Sequence, residues 1–214
     1  LLAHVGQLGT ARDATAPETV TSAMVWLGIG PFFRAFPVQP TIEQQLADNP
    51  AALQGLGSVL QRAHRAAAFA LAFAVHRMDS DAHVIHAAAL LHDFAEMLLW
   101  LHAPTLALQL AKRQRDDPAL RSAVVQRQLL NIELIDLQQL LLRAWQLPQL
   151  LVRINDERHA DAPEVRNVLL AVRLARHSAL DWDNPALADD VHDIATLLNL
   201  GEVPTRKLLR EIDC

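Results

Sequence analysis

Prolines and helix-capping residues divide this chain into successive segments that can each form a helix. Proline is tolerated in a first helical turn because its missing N–H would have no partner there. Five positions carry this signal: Asn49-Pro50, Pro104, Pro118, Asp161 before Pro163, and Asn184-Pro185. Between them apolar residues recur every three or four positions, and nothing alternates with period two long enough for a strand. The sequence therefore predicts an all-α fold, an irregular helical bundle.

Two long helices are predicted in the middle of the chain. The first runs from Pro50 to about Arg77, and the second, which Asp79-Ser80 would cap, from about Asp81 to Leu101. A later helix is predicted to bury one apolar stripe, formed by Leu134, Leu137, Leu140, Leu141, Ala144 and Trp145.

Three short stretches are predicted to be less regular. Gly28 to Pro31 should break a helix that begins near Pro17, because glycine loosens the backbone and proline removes a donor. Residues 37–40 read as an extended connector, and Gly201 to Pro204 should separate a short terminal helix. All three are too short and too apolar for interdomain linkers. We therefore predict a single domain over residues 1–214.

Composition agrees with one helical domain that buries a sizeable core. A chain of 214 residues fits one domain or at most two. Hydrophobic residues make up 51% and charged residues 20%, a balance with which a chain folds rather than stays disordered. Alanine and leucine dominate, and there is no tyrosine, which favours helices over strands.

Charge and cysteine usage argue against several classes of partner. The net charge is −5, and the 19 lysines and arginines form no basic stripe, so no nucleic-acid partner is expected. The single cysteine, Cys214, suits a reducing compartment. The longest apolar run, Ala66 to Val75, is far shorter than the ~20 residues of a membrane span, and no signal peptide is visible. We expect a cytoplasmic protein that does not enter a membrane.

His92 and Asp93 form an ionisable pair inside an otherwise apolar segment. Burying a carboxylate costs several kcal/mol unless it is paired, hydrogen-bonded or bound to a metal. Imidazole nitrogen and carboxylate oxygen together suit a divalent transition metal. The alternative is a pair held in the core by hydrogen bonds to neighbouring helices.

The context of this pair resembles the HDOD branch of the HD-domain superfamily. An alanine-rich run followed by Leu90-Leu91-His92-Asp93 is similar to the superfamily signature. Residues 22–28 resemble a serine, alanine and leucine-glycine segment of the HDOD branch, and residues 140–148 resemble its leucine-rich helix ending at Trp145, Leu147 and Pro148. The resemblance covers roughly Leu1 to Ser178. It implies an HD-like core at 50–180, C-terminal helices at 184–214, and residues 1–35 that continue an absent N-terminal portion.

The resemblance also implies where metal ligands would lie. Metal-binding HD proteins use a histidine on the preceding helix, the His-Asp pair and a later aspartate. Here the matching residues are His64, His92 and Asp93, a residual set that we expect to hold no metal. The next family histidine falls at Leu134, and family glycines fall at Asn131 and Gln138. The paired histidines fall around Glu157 to His159, where only His159 keeps the residue type.

The late aspartate falls close to Arg176-His177, so a ligand is missing from the set. A guanidinium there would repel a cation and could pair with Asp93 where the metal would otherwise sit. Glu96, one turn after His92, is an alternative ligand. We therefore expect no cofactor, with a divalent transition metal as the alternative.

Other candidates have ordinary structural explanations. His192-Asp193 repeats the dipeptide but follows Asp189-Asp190 and fits a solvated helix face. His76, His83 and His86 lie near predicted helix ends, where exposure explains them as well as metal binding or pH sensing does. Cys214 has no neighbour that would activate it as a nucleophile.

Three functions remain open from the sequence. The resemblance implies a non-catalytic bacterial signal-transduction module that regulates through contacts with a partner protein. A divergent metal-dependent phosphohydrolase acting on a nucleotide or cyclic dinucleotide is the second possibility. The third is a small-molecule sensor that uses the emptied metal pocket as a ligand cavity.

Overall fold

The computed structural model describes residues 1–12, 17–117 and 120–213, so Pro118 and Cys214 lie outside the described residues. The described residues form α-helices and one 3-10 turn, and no strand occurs among them, which confirms the all-α prediction. The helices are α1 (Leu2–Arg12), α2 (Val20–Leu27), α3 (Ile29–Ala35), α4 (Ile42–Gln45), α5 (Pro50–His76), α6 (Ala82–Leu90), α7 (Phe94–His102), α8 (Pro104–Asp116), α9 (Ser122–Leu130), α10 (Leu134–Ala144), α11 (Gln149–Ile154), α12 (Pro163–His177), α13 (Leu187–Leu198) and α14 (Glu202–Ile212); the 3-10 turn is Glu157–His159.

The central helix is α5, and it matches its predicted span closely. Asn49 caps it by accepting a hydrogen bond from the Ala52 N–H at 3.1 Å, and Pro50 occupies the first turn. Phe69 and Phe73 are fully buried among small alanines, which lets α6 and α12 approach closely. The main hydrophobic cluster lies between these three helices.

A second, smaller cluster lies at the other end of α5. It joins residues of α5 to Trp100 of α7 and Ala107 of α8. Gly55 of α5 makes this packing possible, because a Cβ there would come within 2.4 Å of the Trp100 ring. Helix α7 therefore rests directly on the backbone of α5.

The prediction of one continuous helix from Asp81 to Leu101 was wrong. Helix α6 ends at Leu90, and α7 begins at Phe94. Between them the N–H groups of His92 and Phe94 bond to carbonyls three residues back, at 3.3 and 3.1 Å. Adjacent side chains on an α-helix diverge by about 100°. The tight turn instead allows the His92 and Asp93 side chains to meet each other and to be buried together.

Residues 82–102 also form the one described segment that could cross a membrane by length and composition, with a mean hydropathy of 1.4. The break between α6 and α7 interrupts it. Both halves pack against α5, with Ile85, Ala88 and Trp100 buried. Core helices of folded proteins often have this length and composition, and this segment packs as a core segment does.

The predicted buried stripe of α10 was wrong at Leu140 and Ala144, and its other four residues are only half-buried. Leu140 is 59% exposed and Ala144 is exposed, whereas Gln138, Gln139 and Leu142 are buried. The two glutamines are stable there because their amide groups donate hydrogen bonds to Asn155, in the turn after α11. Gln139 Nε2 donates to the Asn155 carbonyl at 2.8 Å, and Gln138 Nε2 lies 3.4 Å from Asn155 Oδ1.

Most other helix starts follow the predicted signals. Pro104 and Pro163 begin α8 and α12, as predicted. Helix α13 begins at Leu187, slightly later than predicted, because Asn184 Oδ1 first accepts from the Ala186 N–H at 3.0 Å.

The N-terminal helices deviate more from the predictions. Helix α2 begins at Val20 rather than near Pro17, since Thr19 and Ser22 form a reciprocal capping box. The break after α2 rests on Gly28 alone, at φ 81°, and Pro31 lies in the first turn of α3. Pro204 likewise lies in the first turn of α14 rather than before it.

Candidate functional site

Asp93 lies at the centre of a cluster of charged side chains between α5, α7 and α12. Its Oδ1 accepts a hydrogen bond from an Arg176 guanidinium nitrogen of α12 at 2.7 Å. Its Oδ2 lies 3.7 Å from a guanidinium nitrogen of Arg62 on α5. The Asp93 side chain is only 11% exposed, so this carboxylate is buried between two cations.

His92 lies against the same carboxylate and is itself buried. Its Nδ1 is 3.2 Å from Asp93 Oδ1, and its side chain is 6% exposed. The other nitrogen, Nε2, lies 3.4 Å from Glu157 Oε1 in the 3-10 turn, close enough for charge attraction. The geometry is not that of a hydrogen bond, so Nε2 has no hydrogen-bond partner among the described residues.

The cluster favours the charged form of both residues. Burial raises the pKa of Asp93, but the hydrogen bond from His92 and the charge of Arg176 outweigh it and hold that pKa well below its usual range. Burial lowers the pKa of His92, but the side-chain contacts with Asp93 and Glu157 outweigh it and raise that pKa. His92 is therefore held as an imidazolium more readily than a free histidine.

Glu96 lies one helical turn beyond Asp93 and completes the cluster. Arg62 donates to Glu96 Oε2 at 3.3 Å, and the Trp100 indole N–H donates to Oε1 at 3.3 Å. Burial is the main cause that raises the pKa of Glu96, and Arg62 opposes it. The charge of Glu96 thus neutralises that of Arg62, and the charge of Asp93 neutralises that of Arg176.

Two adjoining cavities open beside this cluster. The larger, of about 520 Å³, lies between α7, α8 and α9, and the smaller, of about 200 Å³, reaches His92 and Asp93. Both are lined by Glu96, Ser122, Gln126, Leu134 and Arg176. Leu134 thus lies at the site, where the resemblance implies a histidine, and contributes an apolar side chain to its wall.

The structure does not bring His64 to the site. It is exposed on α5, close enough to His86 of α6 to contribute, after burial and His83, to a lowered pKa of His86. His64 therefore does not join His92 and Asp93 as the resemblance implied. Arg62, two residues earlier, is the α5 residue that reaches Asp93, because it lies on the face of α5 that packs against α7.

Sequence reasoning found Arg176 and missed Arg62 and Glu157. The predicted pair of Arg176 and Asp93 is present. No local signal singles out Arg62, because several side chains of α5 could have faced α7. No periodic signal marks Glu157, because it lies in a 3-10 turn whose direction depends on the tertiary fold. His159 is exposed and lines a different cavity.

The residues of this site do not fit a divalent metal. No group of three His, Cys, Asp or Glu side chains among the described residues is arranged to hold one. Both Asp93 oxygens already face guanidinium groups, at 2.7 and 3.7 Å, and these cations would repel a metal ion.

His192 of the second His-Asp dipeptide is 70% exposed at the side chain and lies 3.2 Å from Glu202, as expected for a solvated helix face. Its neighbour Asp193 pairs with Arg173 instead. Neither residue contacts the Asp93 cluster, so this dipeptide belongs to the α13 surface.

The chain has counterparts in both sequence and fold. The family model of the HDOD domain matches residues 14–161, a range that includes the His92-Asp93 pair and the Trp145 to Pro148 motif but ends before Arg176. No curated protein shows significant sequence similarity. A crystal structure described as a "putative phosphohydrolase" from Shewanella amazonensis has a similar fold, with a TM-score of 0.59 over 99% of this chain and 88% of that chain. The two sequences are 14% identical, so this likeness concerns the fold alone.

Proposed function

The chain belongs to the HDOD family, and we propose that it is a non-catalytic regulatory module of bacterial signal transduction. In this proposal it acts in the cytoplasm through contacts with a partner protein and needs no cofactor. Fold alone does not determine function, so the argument depends on the site.

One observation carries the proposal: the Arg176 guanidinium is bound to Asp93 at 2.7 Å. Metal-assisted hydrolysis needs a cation that lowers the pKa of a bound water, and that cation needs anionic or neutral ligands around it. Here the carboxylate lies instead against the guanidinium groups of Arg176 and Arg62. The ion pair gives the buried pair a structural explanation without metal chemistry.

Metal content and hydrolysis test this proposal together. The purified protein is incubated with zinc, manganese or ferrous iron, separated from free ions, and analysed for bound metal by mass spectrometry. We expect far less than one equivalent, and no hydrolysis of phosphodiesters or cyclic dinucleotides above a buffer control. Stoichiometric metal that is lost in Asp93→Asn, together with metal-dependent hydrolysis, would establish the phosphohydrolase alternative instead.

The adjoining cavities favour the small-molecule sensor as a second candidate. Their walls combine apolar side chains with a few polar groups, which is the usual lining of ligand pockets. A screen of small metabolites by thermal shift tests it. A ligand that raises the melting temperature of the natural protein, but not of a variant with Leu134→Trp, would support binding in these cavities.

A further inference from the structure

A separate groove lies beside Gln146, Leu147 and Pro148 of the Trp145 to Pro148 motif. It encloses about 650 Å³ between α1, the α10–α11 turn and α11. We call it the basic groove and define it by six of its lining residues: Arg143, Leu147, Pro148, Val152, Arg153 and His159. The proposed function so far assigns no role to this motif or to its surroundings.

The turn that forms one wall of the groove is held in a fixed conformation. Gln146 adopts φ 54°, a left-handed conformation that is uncommon for a residue other than glycine. Backbone bonds from Gln146 to Arg143 and from Leu147 to Leu142, both 3.0 Å, hold it there. Such backbone persists only where its surroundings determine it.

Helix α1 supports the turn from the other side. A Cβ at Gly6 would lie 2.6 Å from the Gln146 carbonyl oxygen, so the two backbones are in direct contact. Gly6 lines the groove as well. The groove is therefore preformed, and an occupant would not have to order its walls.

Positive charge is concentrated at this groove although the chain carries a net charge of −5. Two arginines, Arg143 and Arg153, line it, and Arg158 lies beside it. The one carboxylate in its lining, Asp156, is only 11% exposed and is already bound by Arg158 at 2.9 Å. Arg143 lies 3.9 Å from that carboxylate with its side chain 60% exposed, and Arg153 has no ion-pair partner among the described residues.

We propose that the basic groove binds an acidic segment of a partner protein. An apolar side chain of that segment packs on Leu147, Pro148 and Val152, while flanking Asp or Glu side chains face Arg143 and Arg153. This inference rests on the proposed function, namely regulation through protein contacts, and specifies the chemistry of the partner. A few cations around an apolar floor suit a short acidic peptide better than the long phosphate backbone of a nucleic acid.

Peptide selection tests the proposal before any partner has been identified. A library of short random peptides is displayed and selected on the full natural chain. We expect the bound peptides to be enriched in Asp and Glu around a Leu, Ile or Phe. A synthetic copy of the most enriched peptide is then titrated against the protein and its variants.

Charge reversal locates the binding site. The double variant R143E/R153E should bind the selected peptide at least about tenfold more weakly, since both facing charges become repulsive. The matched variant K112E/R206E reverses two exposed charges on α8 and α14 and should bind as the natural chain does. The neutral variant R143Q/R153Q should fall between them, and circular dichroism should show all three folded.

Several outcomes would overturn the proposal. These are a selection without acidic enrichment, equal binding by R143E/R153E, or a short RNA that displaces the peptide with higher affinity. None of them depends on the Asp93 cluster. If selection fails while metal and hydrolysis stay absent, the acidic-partner proposal alone is wrong, whereas metal-dependent hydrolysis would contradict the regulatory function instead.

Discussion

At the scale of single residues, the chemistry of the site depends on which side chains face the Asp93 carboxylate. The sequence alone indicated that this buried carboxylate needs a partner and that Arg176 could supply it, because burial of an unpaired charge is so costly. It could not indicate Arg62, since several side chains of α5 could have been turned toward α7. In the structure Arg62, and not His64, is the α5 residue that reaches Asp93. The expected set of metal ligands is therefore a cluster of ion pairs.

Removing Arg176 should destabilise the protein modestly, because half of its side chain is exposed and Arg62 still faces Asp93. We expect Arg176→Ala to lower the free energy of unfolding by about 1 kcal/mol. Asp93→Asn should cost more, about 2 kcal/mol, since it removes the buried carboxylate from Arg176 and leaves Arg62 with Glu96 alone. Urea unfolding measures both.

The double variant R176A/D93N separates the ion pair from other effects of the two substitutions. Its loss of unfolding free energy should be smaller than the sum of the losses in the two single variants, because both substitutions remove the same contact. Strict additivity would show that Arg176 and Asp93 do not stabilise each other.

The stability of the fold should depend on Asp93 in acid. Its folded pKa lies below the unfolded value of about 3.9, so its contribution is fully present above that pH. The contribution is lost as the pH falls through the lowered folded pKa. The stability difference between the natural protein and Asp93→Asn should therefore shrink as the pH falls below about 4. Chemical unfolding measured at several pH values checks this, and a constant difference would contradict it.

At the scale of helices, propensity and capping predicted where most elements begin, but not where they are interrupted. The start of α5 at Asn49-Pro50 follows from local chemistry. The break between α6 and α7 does not, because Ala, Leu and Phe around it all continue a helix well. It arises from contacts with α5 and α12, which belong to the tertiary structure. The buried glutamines of α10 have the same kind of cause, namely the distant Asn155.

Two glycines of α5 should respond in opposite directions to the same change. Gly55→Ala places a methyl group within 2.4 Å of the Trp100 ring and should lower the free energy of unfolding by about 1–3 kcal/mol. Gly57→Ala meets nothing within 4 Å and should raise it by about 0.5–1 kcal/mol, since alanine favours the helix. Thermal unfolding of the two variants measures the contrast. Equal effects would mean that α7 does not pack on Gly55.

At the scale of the whole molecule, Arg65 connects the central helix α5 to the C-terminal end of the described fold. Its guanidinium donates to both oxygens of Asp213 after α14, at 2.7 and 2.8 Å, and to Ser178 after α12 at 2.8 Å. Trp182 donates to the same carboxylate at 3.1 Å. The all-α class was predictable from the sequence, but this connection was not, because it joins residues that are distant in the chain and isolated in their local patterns.

Breaking this connection should loosen α14 before the rest of the bundle. Asp213→Ala is expected to lower the free energy of unfolding by about 1–2 kcal/mol, because it leaves a largely buried guanidinium without its bidentate partner. Hydrogen exchange should speed up most in α14, and much less in the centre of α5. A uniform increase across the chain would contradict the tethering role of Arg65.

The pairing of Asp93 with Arg176 also constrains how this sequence can change over generations. Replacing Arg176 by Asp alone would put two carboxylates together before a metal could bind, and replacing Leu134 by His alone would add a polar ring beside an arginine. Either first step costs stability and brings no compensating chemistry. Natural variants of this sequence are therefore expected to keep the pair of Asp93 and Arg176, while the residues of the cavity walls change more freely.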